Sequence, residues 1–146
     1  MTNEHQPPKR DPGPWAWIAR VVLAGYWLLL FVATHIPAPI PLTAAGRPID
    51  KWVHVVAYFV LAALMLVALH LGGRNSCWRT RLAVLVIAVT YGALDELTQP
   101  LVGRICDLGD WYANALGVVL AILADWIYTL TRTIQSNSSE TETLSL

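Results

Sequence analysis

Four stretches of the chain are almost entirely apolar, and each has the length of a membrane span. They cover residues 17–34, 52–71, 82–99 and 111–130, and a helix needs roughly 20 apolar residues to cross the hydrocarbon core of a bilayer. Aromatic residues suit the headgroup level, and seven stand at or near these ends: Trp15, Trp17, Trp52, Trp78, Trp111, Trp126 and Tyr128. Because the connecting loops are short, the pattern predicts an all-α, polytopic membrane protein, an antiparallel bundle of four transmembrane helices.

The two ends of the chain are more polar than the rest. Residues 1–14 contain four prolines and mixed charges, and residues 133–146 read TIQSNSSETETLSL. Neither segment has the apolar content to pack, so we expect two disordered cytoplasmic tails around one transmembrane domain, residues 15–132. The first apolar run exceeds the ~7 to 15 residues of a signal peptide, which favours a retained helix.

Composition supports the membrane class and excludes one kind of partner. Hydrophobic residues make up 55% and charged residues 14%, and the mean hydropathy is +0.49, which is more apolar than a small soluble domain can bury. The net charge is zero, and no basic stripe is present. We therefore expect membrane lipids, and not nucleic acid, as partners.

Basic residues orient the predicted helices. Seven lie on the side of the termini and the second loop, and three on the other side: Lys9, Arg10, Arg20, Arg74, Arg79, Arg81 and Arg132 against Arg47, Lys51 and Arg104. The positive-inside rule then places both termini in the cytoplasm. Cys77 falls inside and Cys106 outside, so no disulfide joins them, and neither cysteine has the neighbours of a metal motif.

In this topology the unusual polar residues gather at the outer ends of helices 2, 3 and 4. Spacing by four residues places them on one face of each helix. The three stripes are Asp50, His54 and Tyr58; Tyr91, Asp95 and Gln99; and Asp110, Asn114 and Gly117. Helix 4 also carries a ladder of small residues, Ala113, Gly117 and Ala121, which lets another backbone approach. We therefore expect the stripes to face one another inside the bundle.

Helix 3 draws two carboxylates below the membrane surface. Its apolar part, residues 82–94, covers only about 20 Å of a ~30 Å core, so Asp95 and Glu96 enter the membrane, and Pro100 should end the helix near Gln99. A charge at that depth is unfavourable without partners. Arg104 and Lys51 are the available countercharges.

Each of these residues also has a structural interpretation. Asp50 and Asp110 could be helix N-caps, Glu96 and Asp107 could be solvated acids, Arg104 could extend to headgroups, and Tyr58 and Tyr91 could serve only packing. His54 is the hardest to explain in this way, because it lies inside an apolar helix one turn from an acid. His5, His35 and His70 lack such company in the sequence.

Two segments resemble the signature regions of VanZ-like membrane proteins. They are DKWVHVVAYFVL (50–61) and LDELTQPLVGRICDLGDWYANALG (94–117), and the shared positions are Asp50, Lys51, His54, Tyr58, Asp95, Glu96, Gln99, Arg104, Asp110, Asn114 and Gly117. Asp107, Pro100 and the lack of a proline before Gly103 depart from the family pattern. The resemblance implies a small integral protein of the cell envelope, in a family whose founding member is associated with teicoplanin resistance.

Three functions stay open. The first is an enzyme acting on an envelope lipid or a glycopeptide-related ligand, with His54 paired to Asp50 or Asp95 as general base, another carboxylate such as Glu96 as acid, and Lys51 with Arg104 on an anionic headgroup. The second is a non-catalytic binder of a headgroup or envelope glycan, or an accessory structural protein, that uses the same residues. The third is an ion pathway, which the apolar helix interiors disfavour. For binding we expect Lys51, Gln99, Arg104, Asp110, Asn114 and Tyr58.

The sequence does not identify a cofactor. The acids and His54 are plausible ligands of a divalent ion, but one histidine and no ligand motif make a metal site the weaker expectation.

Overall fold

The computed structural model describes residues 13–36, 48–74 and 76–144. Four helices account for nearly all of them: α1 (Pro14–His35), α2 (Pro48–Leu71), α3 (Trp78–Thr98) and α4 (Leu108–Leu144). Each contains a window long and apolar enough to cross a membrane, and the described ranges contain no strand. The predicted class, an all-α integral membrane protein with four spans, is confirmed.

Proline and glycine set the boundaries of α1 and α2. Both helices begin at a proline, whose missing N–H is not needed in the first turn. After Leu71 the chain turns at Gly73, which has φ +82°, and the N–H of Arg74 donates to the carbonyl of Leu69 at 3.0 Å. This Schellman arrangement satisfies the last carbonyls of α2 and needs a residue without a side chain.

Pro100 ends α3 and starts a tight turn. A 3₁₀ helix, Gln99–Val102, follows α3, and Gly103 closes it with φ +77°. The N–H of Arg104 donates to the carbonyl of Gln99 at 3.2 Å. The chain thus turns back at the place where the polar residues of α3 and α4 have to meet.

The core is centred on α2, whose buried residues pack with residues of α1, α3 and α4, and its largest interface is with α4. A Cβ at Gly117 would collide with backbone atoms of Val55 and Phe59, so the two backbones are nearly in contact there. Ala113 and Ala121 are buried, one turn before and one turn after Gly117. The small-residue ladder on helix 4 packs as close-approach motifs do.

α4 continues beyond the end expected from hydropathy. Its 37 residues would extend about 55 Å at 1.5 Å per residue. Residues 133–144 are helical, whereas composition predicts a disordered tail. Thr133 and Ser138 donate to the carbonyls four residues earlier at 3.0 Å, so these hydroxyls are satisfied within the helix. Residues 1–12, most of the other expected tail, lie outside the described residues.

The two ends of the bundle differ in chemistry. We call the polar end the one that holds the end of α1, the start of α2, the end of α3 and the start of α4, because hydrogen bonds and ion pairs join these segments. The opposite end, which we call the arginine end, holds Arg20, Arg74, Arg79 and Arg81.

Candidate functional site

Three helices bring His54, Glu96 and Asp110 together at the polar end. Nε2 of His54 lies 3.7 Å from Oδ2 of Asp110, and its Nδ1 lies 4.0 Å from Oε1 of Glu96. Their side chains are 12%, 3% and 13% exposed. The sequence places His54 in the second turn of α2 and Asp110 in the first turn of α4, so a histidine and two carboxylates share a largely dry space.

Asn114 orients the imidazole. Nδ1 of His54 lies 3.0 Å from Oδ1 of Asn114, which is completely buried. An amide oxygen only accepts hydrogen bonds, so Nδ1 of His54 is the donor in this contact, and Nε2 faces Asp110. Asp110 and Asn114 are four residues apart and act on the same ring, as the predicted stripe on helix 4 requires.

Lys51 connects two carboxylates, Asp110 of the central trio and Asp107 in the loop before α4. Its Nζ lies 3.2 Å from Oδ2 of Asp107 and 3.2 Å from Oδ1 of Asp110. The N–H of Gly109 donates to Oδ1 of Asp107 at 2.7 Å, and this bond, followed by the bond from Lys51, holds the pKa of Asp107 below its ordinary value. Asp107 is therefore an ionised member of the cluster, although the family pattern does not include it.

Asp95 belongs to a second group that faces α1. Thr34 Oγ1 donates to Oδ1 of Asp95 at 2.7 Å, and Nδ1 of His35 lies 3.6 Å from the same oxygen. Nε2 of His35 is in turn 2.9 Å from Oγ1 of Thr98. The expectation that His35 and His70 lack an acidic companion is wrong, since Nε2 of His70 likewise lies 3.6 Å from Oδ1 of Asp125. The polar contacts of Asp95 are with α1, whereas the sequence pairs it with His54.

Helix rotation explains this separation. Successive residues of a helix point about 100° apart, so Asp95 and Glu96 cannot face the same neighbour. α1 packs beside the end of α3, and Asp95 faces α1. Glu96, at the next position, therefore faces α2 and α4. Thr34 and His35 could have been found from the sequence, because they are polar residues at the end of the first apolar span. The other polar residues of the site also lie at the ends of apolar spans.

Several buried polar atoms at and beside this site have no hydrogen-bond partner among the described residues. They are Tyr58 OH, Tyr91 OH, Asp95 Oδ2, Glu96 Oε1, Gln99 Nε2 and Asn114 Nδ2. Buried polar atoms are satisfied in the great majority of cases. Their concentration here leaves these groups available for further hydrogen bonds.

Of the remaining predicted residues, Arg104 lies partly exposed at the edge of the site, whereas Tyr58 is completely buried. Nη1 of Arg104 donates to the carbonyl of Ala33 at 3.3 Å, and within the described ranges no carboxylate pairs with it. The Tyr58 ring stacks on Tyr91 with centroids 6.1 Å apart. Asp50 belongs to α2, but its side chain lies outside the described residues.

A groove runs from Lys51 along the surface between α2 and α4. It encloses about 270 Å³, and its walls include Trp52, Val55, Tyr112 and Leu116. The ammonium group of Lys51 therefore lies at one end of an apolar groove. Hydrocarbon chains fit surfaces of this kind.

The central trio also has the spacing of a cation site. One ligand atom from each of His54, Glu96 and Asp110 lies within 4.8 Å of the others. Two carboxylates and an imidazole suit a borderline divalent ion, although no ligand motif predicts one. The arrangement can thus serve proton transfer or hold a cation.

No curated protein and no solved structure matches the chain. The model of the VanZ/LLP1 family matches residues 13–132. This range contains both signature segments and every residue of the polar end described above. The resemblance seen in the motifs is confirmed, and the chain belongs to the VanZ/LLP1 family.

Proposed function

We propose that the polar end binds the headgroup of an amphiphile of the cell envelope and modifies it by acid–base chemistry. The observation that carries the proposal is the meeting of His54, Glu96 and Asp110, from three helices, in a space that excludes most water. Titratable groups gathered in this way are typical of sites that bind and react.

Two cations and the groove support the binding step. Lys51 uses two of its three N–H donors on Asp107 and Asp110, and Arg104 uses one of five on Ala33. The remaining donors can hold an anionic headgroup. The apolar groove begins at Lys51, where the hydrocarbon part of the same molecule would leave the site.

His54 and Glu96 support the chemical step. With its hydrogen on Nδ1, His54 offers Nε2 as a proton acceptor. Oε1 of Glu96 is buried without a hydrogen-bond partner, so it is available to a ligand as a proton donor or acceptor. Low local polarity strengthens each of these interactions, and general acid–base catalysis of this kind contributes about 10²- to 10⁴-fold in rate.

The proposed location is the outer face of the bacterial cytoplasmic membrane. The excess of basic residues on the opposite side supports this orientation. The family supplies the teicoplanin association, which supports an envelope ligand without identifying it.

One observation favours a second candidate, a non-catalytic binder or accessory protein. Lys51 already pairs with Asp107 and Asp110 at 3.2 Å, so part of the cluster is compensated internally. A closed network of this kind could recognise a headgroup without reacting with it.

The test uses purified protein in lipid nanodiscs with envelope lipid extracts, and mass spectrometry of the products. We expect a new product with the wild type and with Arg132→Gln, a control far from the site, but none with His54→Ala or Glu96→Gln. Product formation by both site variants at the wild-type rate would refute acid–base catalysis. Retention of one lipid class without turnover would favour the binder, and loss of product with a chelator would assign the trio to a cation.

A further inference from the structure

A second candidate binding region lies at the arginine end, between α1 and α3. Trp27 and Tyr91 touch across these helices with centroids 5.1 Å apart, and Thr34 bonds to Asp95 nearer the polar end. Towards the arginine end the two helices enclose, with α2, a cavity of about 730 Å³. Its volume is within the ~300 to 1,000 Å³ of ordinary ligand sites.

The rim of this cavity carries positive charge. Arg20, Arg74 and Arg79 line it, and no acid is among its described lining residues. All three arginines are exposed, and across the described part of the chain no carboxylate pairs with any of them. Arg81 is different, because its Nε bonds to Oδ2 of Asp125 at 2.8 Å. The rim arginines therefore present uncompensated guanidinium groups, which suit phosphate.

The interior of the cavity is apolar. Leu23 of α1, Met65 and Ala68 of α2, and Val84 and Ile87 of α3 form its wall. All belong to membrane-spanning segments. A ligand that fills the cavity must therefore combine an anionic head with a hydrocarbon chain at membrane depth, which a soluble phosphate ester lacks.

We propose that this cavity binds an anionic phospholipid of the adjoining leaflet. Arg20, Arg74 and Arg79 hold its phosphate, and one acyl chain lies along Leu23 and Ile87 between α1 and α3. Basic pockets between transmembrane helices recognise lipids in this way. The site shares no residue with the polar end, so it does not depend on the function proposed there.

A thiol-protection experiment tests the proposal, because Cys77 lines the cavity and Cys106 lies outside it. The purified protein is placed in nanodiscs of pure phosphatidylcholine, or of phosphatidylcholine with phosphatidylglycerol, and alkylated with N-ethylmaleimide. We expect phosphatidylglycerol to slow the labelling of Cys77 several-fold and to leave Cys106 unchanged. Glycerol 3-phosphate in phosphatidylcholine discs should give no protection.

Variants separate the charge from the apolar wall. The triple variant Arg20→Gln, Arg74→Gln, Arg79→Gln should lose the difference between the two lipids, and Arg132→Gln should keep it. Ala83→Trp fills the cavity from an exposed position on α3, and native mass spectrometry should show that it retains fewer phosphatidylglycerol molecules than the wild type.

Three results would overturn the proposal. The first is equal protection of Cys77 in the two kinds of nanodisc. The second is protection of Cys77 by glycerol 3-phosphate in discs of pure phosphatidylcholine. The third is equal retention of phosphatidylglycerol by the triple variant and by Arg132→Gln. The labelling of wild-type Cys77 in the two kinds of nanodisc requires no substitution. It therefore tests the proposal even if a variant fails to fold.

Discussion

The bundle contains two buried polar clusters that are built in opposite ways. At the arginine end, Asp125 accepts bonds from Nε of Arg81 and Oγ of Ser76, both at 2.8 Å. Nη2 of Arg81 also donates to Ser76 and Thr129, both at 2.7 Å. At the polar end, the closest contacts of His54 with Glu96 and Asp110 are 4.0 Å and 3.7 Å.

The difference distinguishes a structural cluster from a site. In the Arg81–Asp125 cluster, Nε and Nη2 of the guanidinium and Oδ2 of the carboxylate form short bonds, while Oδ1 of Asp125 lies 3.6 Å from Nε2 of His70. In the trio of His54, Glu96 and Asp110 the groups face one another beyond hydrogen-bond distance, and Oε1 of Glu96 has no partner among the described residues. The first arrangement stabilises the fold, and the second leaves groups available for binding.

The largest expected effect on activity comes from replacing the histidine of the polar end with alanine. His54→Ala should lower envelope activity by at least about 100-fold, because the proposed general base is lost, while the amount of protein in the membrane stays the same. His70→Ala is the matched control, since Nε2 of His70 lies 3.6 Å from Asp125 at the other end. A complementation assay with quantified membrane levels measures both variants, and equal activity of the two would remove the distinction.

The next effect is on stability. Arg81→Gln leaves Asp125 buried without its main partner, which should lower the free energy of unfolding by about 3 kcal/mol, the low end for buried pairs because Arg81 keeps some exposure. Activity per folded molecule should be unchanged. Thermal unfolding in detergent measures the loss, and Arg132→Gln, at an exposed arginine, serves as the control. A loss of activity larger than the loss of folded protein would contradict a purely structural role.

Gly117→Ala should produce a smaller loss of both stability and activity. The new Cβ meets the backbone of Val55, so α2 and α4 must separate, at a cost of about 1 to 3 kcal/mol, and His54 moves away from Asn114. Gly25→Ala is the control, because a Cβ there has no neighbour within 4 Å. Unchanged melting temperature and activity in Gly117→Ala would show that the helices are not in backbone contact.

The smallest effect concerns the reactivity of Cys77. The hydroxyl of Thr80, 3.4 Å from its sulfur, is the first cause that lowers the pKa of this thiol. The thiolate therefore forms at lower pH, and alkylation should reach half its maximal rate at a lower pH than for an ordinary exposed cysteine. Thr80→Val should move this midpoint upward. A midpoint that stays in place would exclude the hydroxyl as the cause.

The same two cysteines test the orientation. In intact cells an impermeant thiol reagent should label Cys106 and not Cys77, since the positive-inside rule puts Cys77 in the cytoplasm. The reverse pattern would place the polar end inside the cell.

Hydropathy was sufficient to predict the spans, and spacing by four residues predicted that Asp110 and Asn114 act together. The rotation of α3 could not be predicted, because it depends on where α1 packs, and that decides whether Asp95 or Glu96 meets His54. The pairs Thr34–Asp95 and Arg81–Asp125 were missed for a related reason. Their members are 61 and 44 residues apart, and no periodic pattern connects such positions.

The contact at Gly117 gives the site a mechanical property. The backbones of α2 and α4 are in contact at Gly117, with no side chain between them that could change conformation. If the two helices change their relative tilt, they must therefore pivot at this point. Helices tilt when bilayer thickness changes, and His54 and Asn114 lie about one turn from the pivot. Because they lie so near the pivot, a change of tilt separates them less than it separates the distant ends of the two helices.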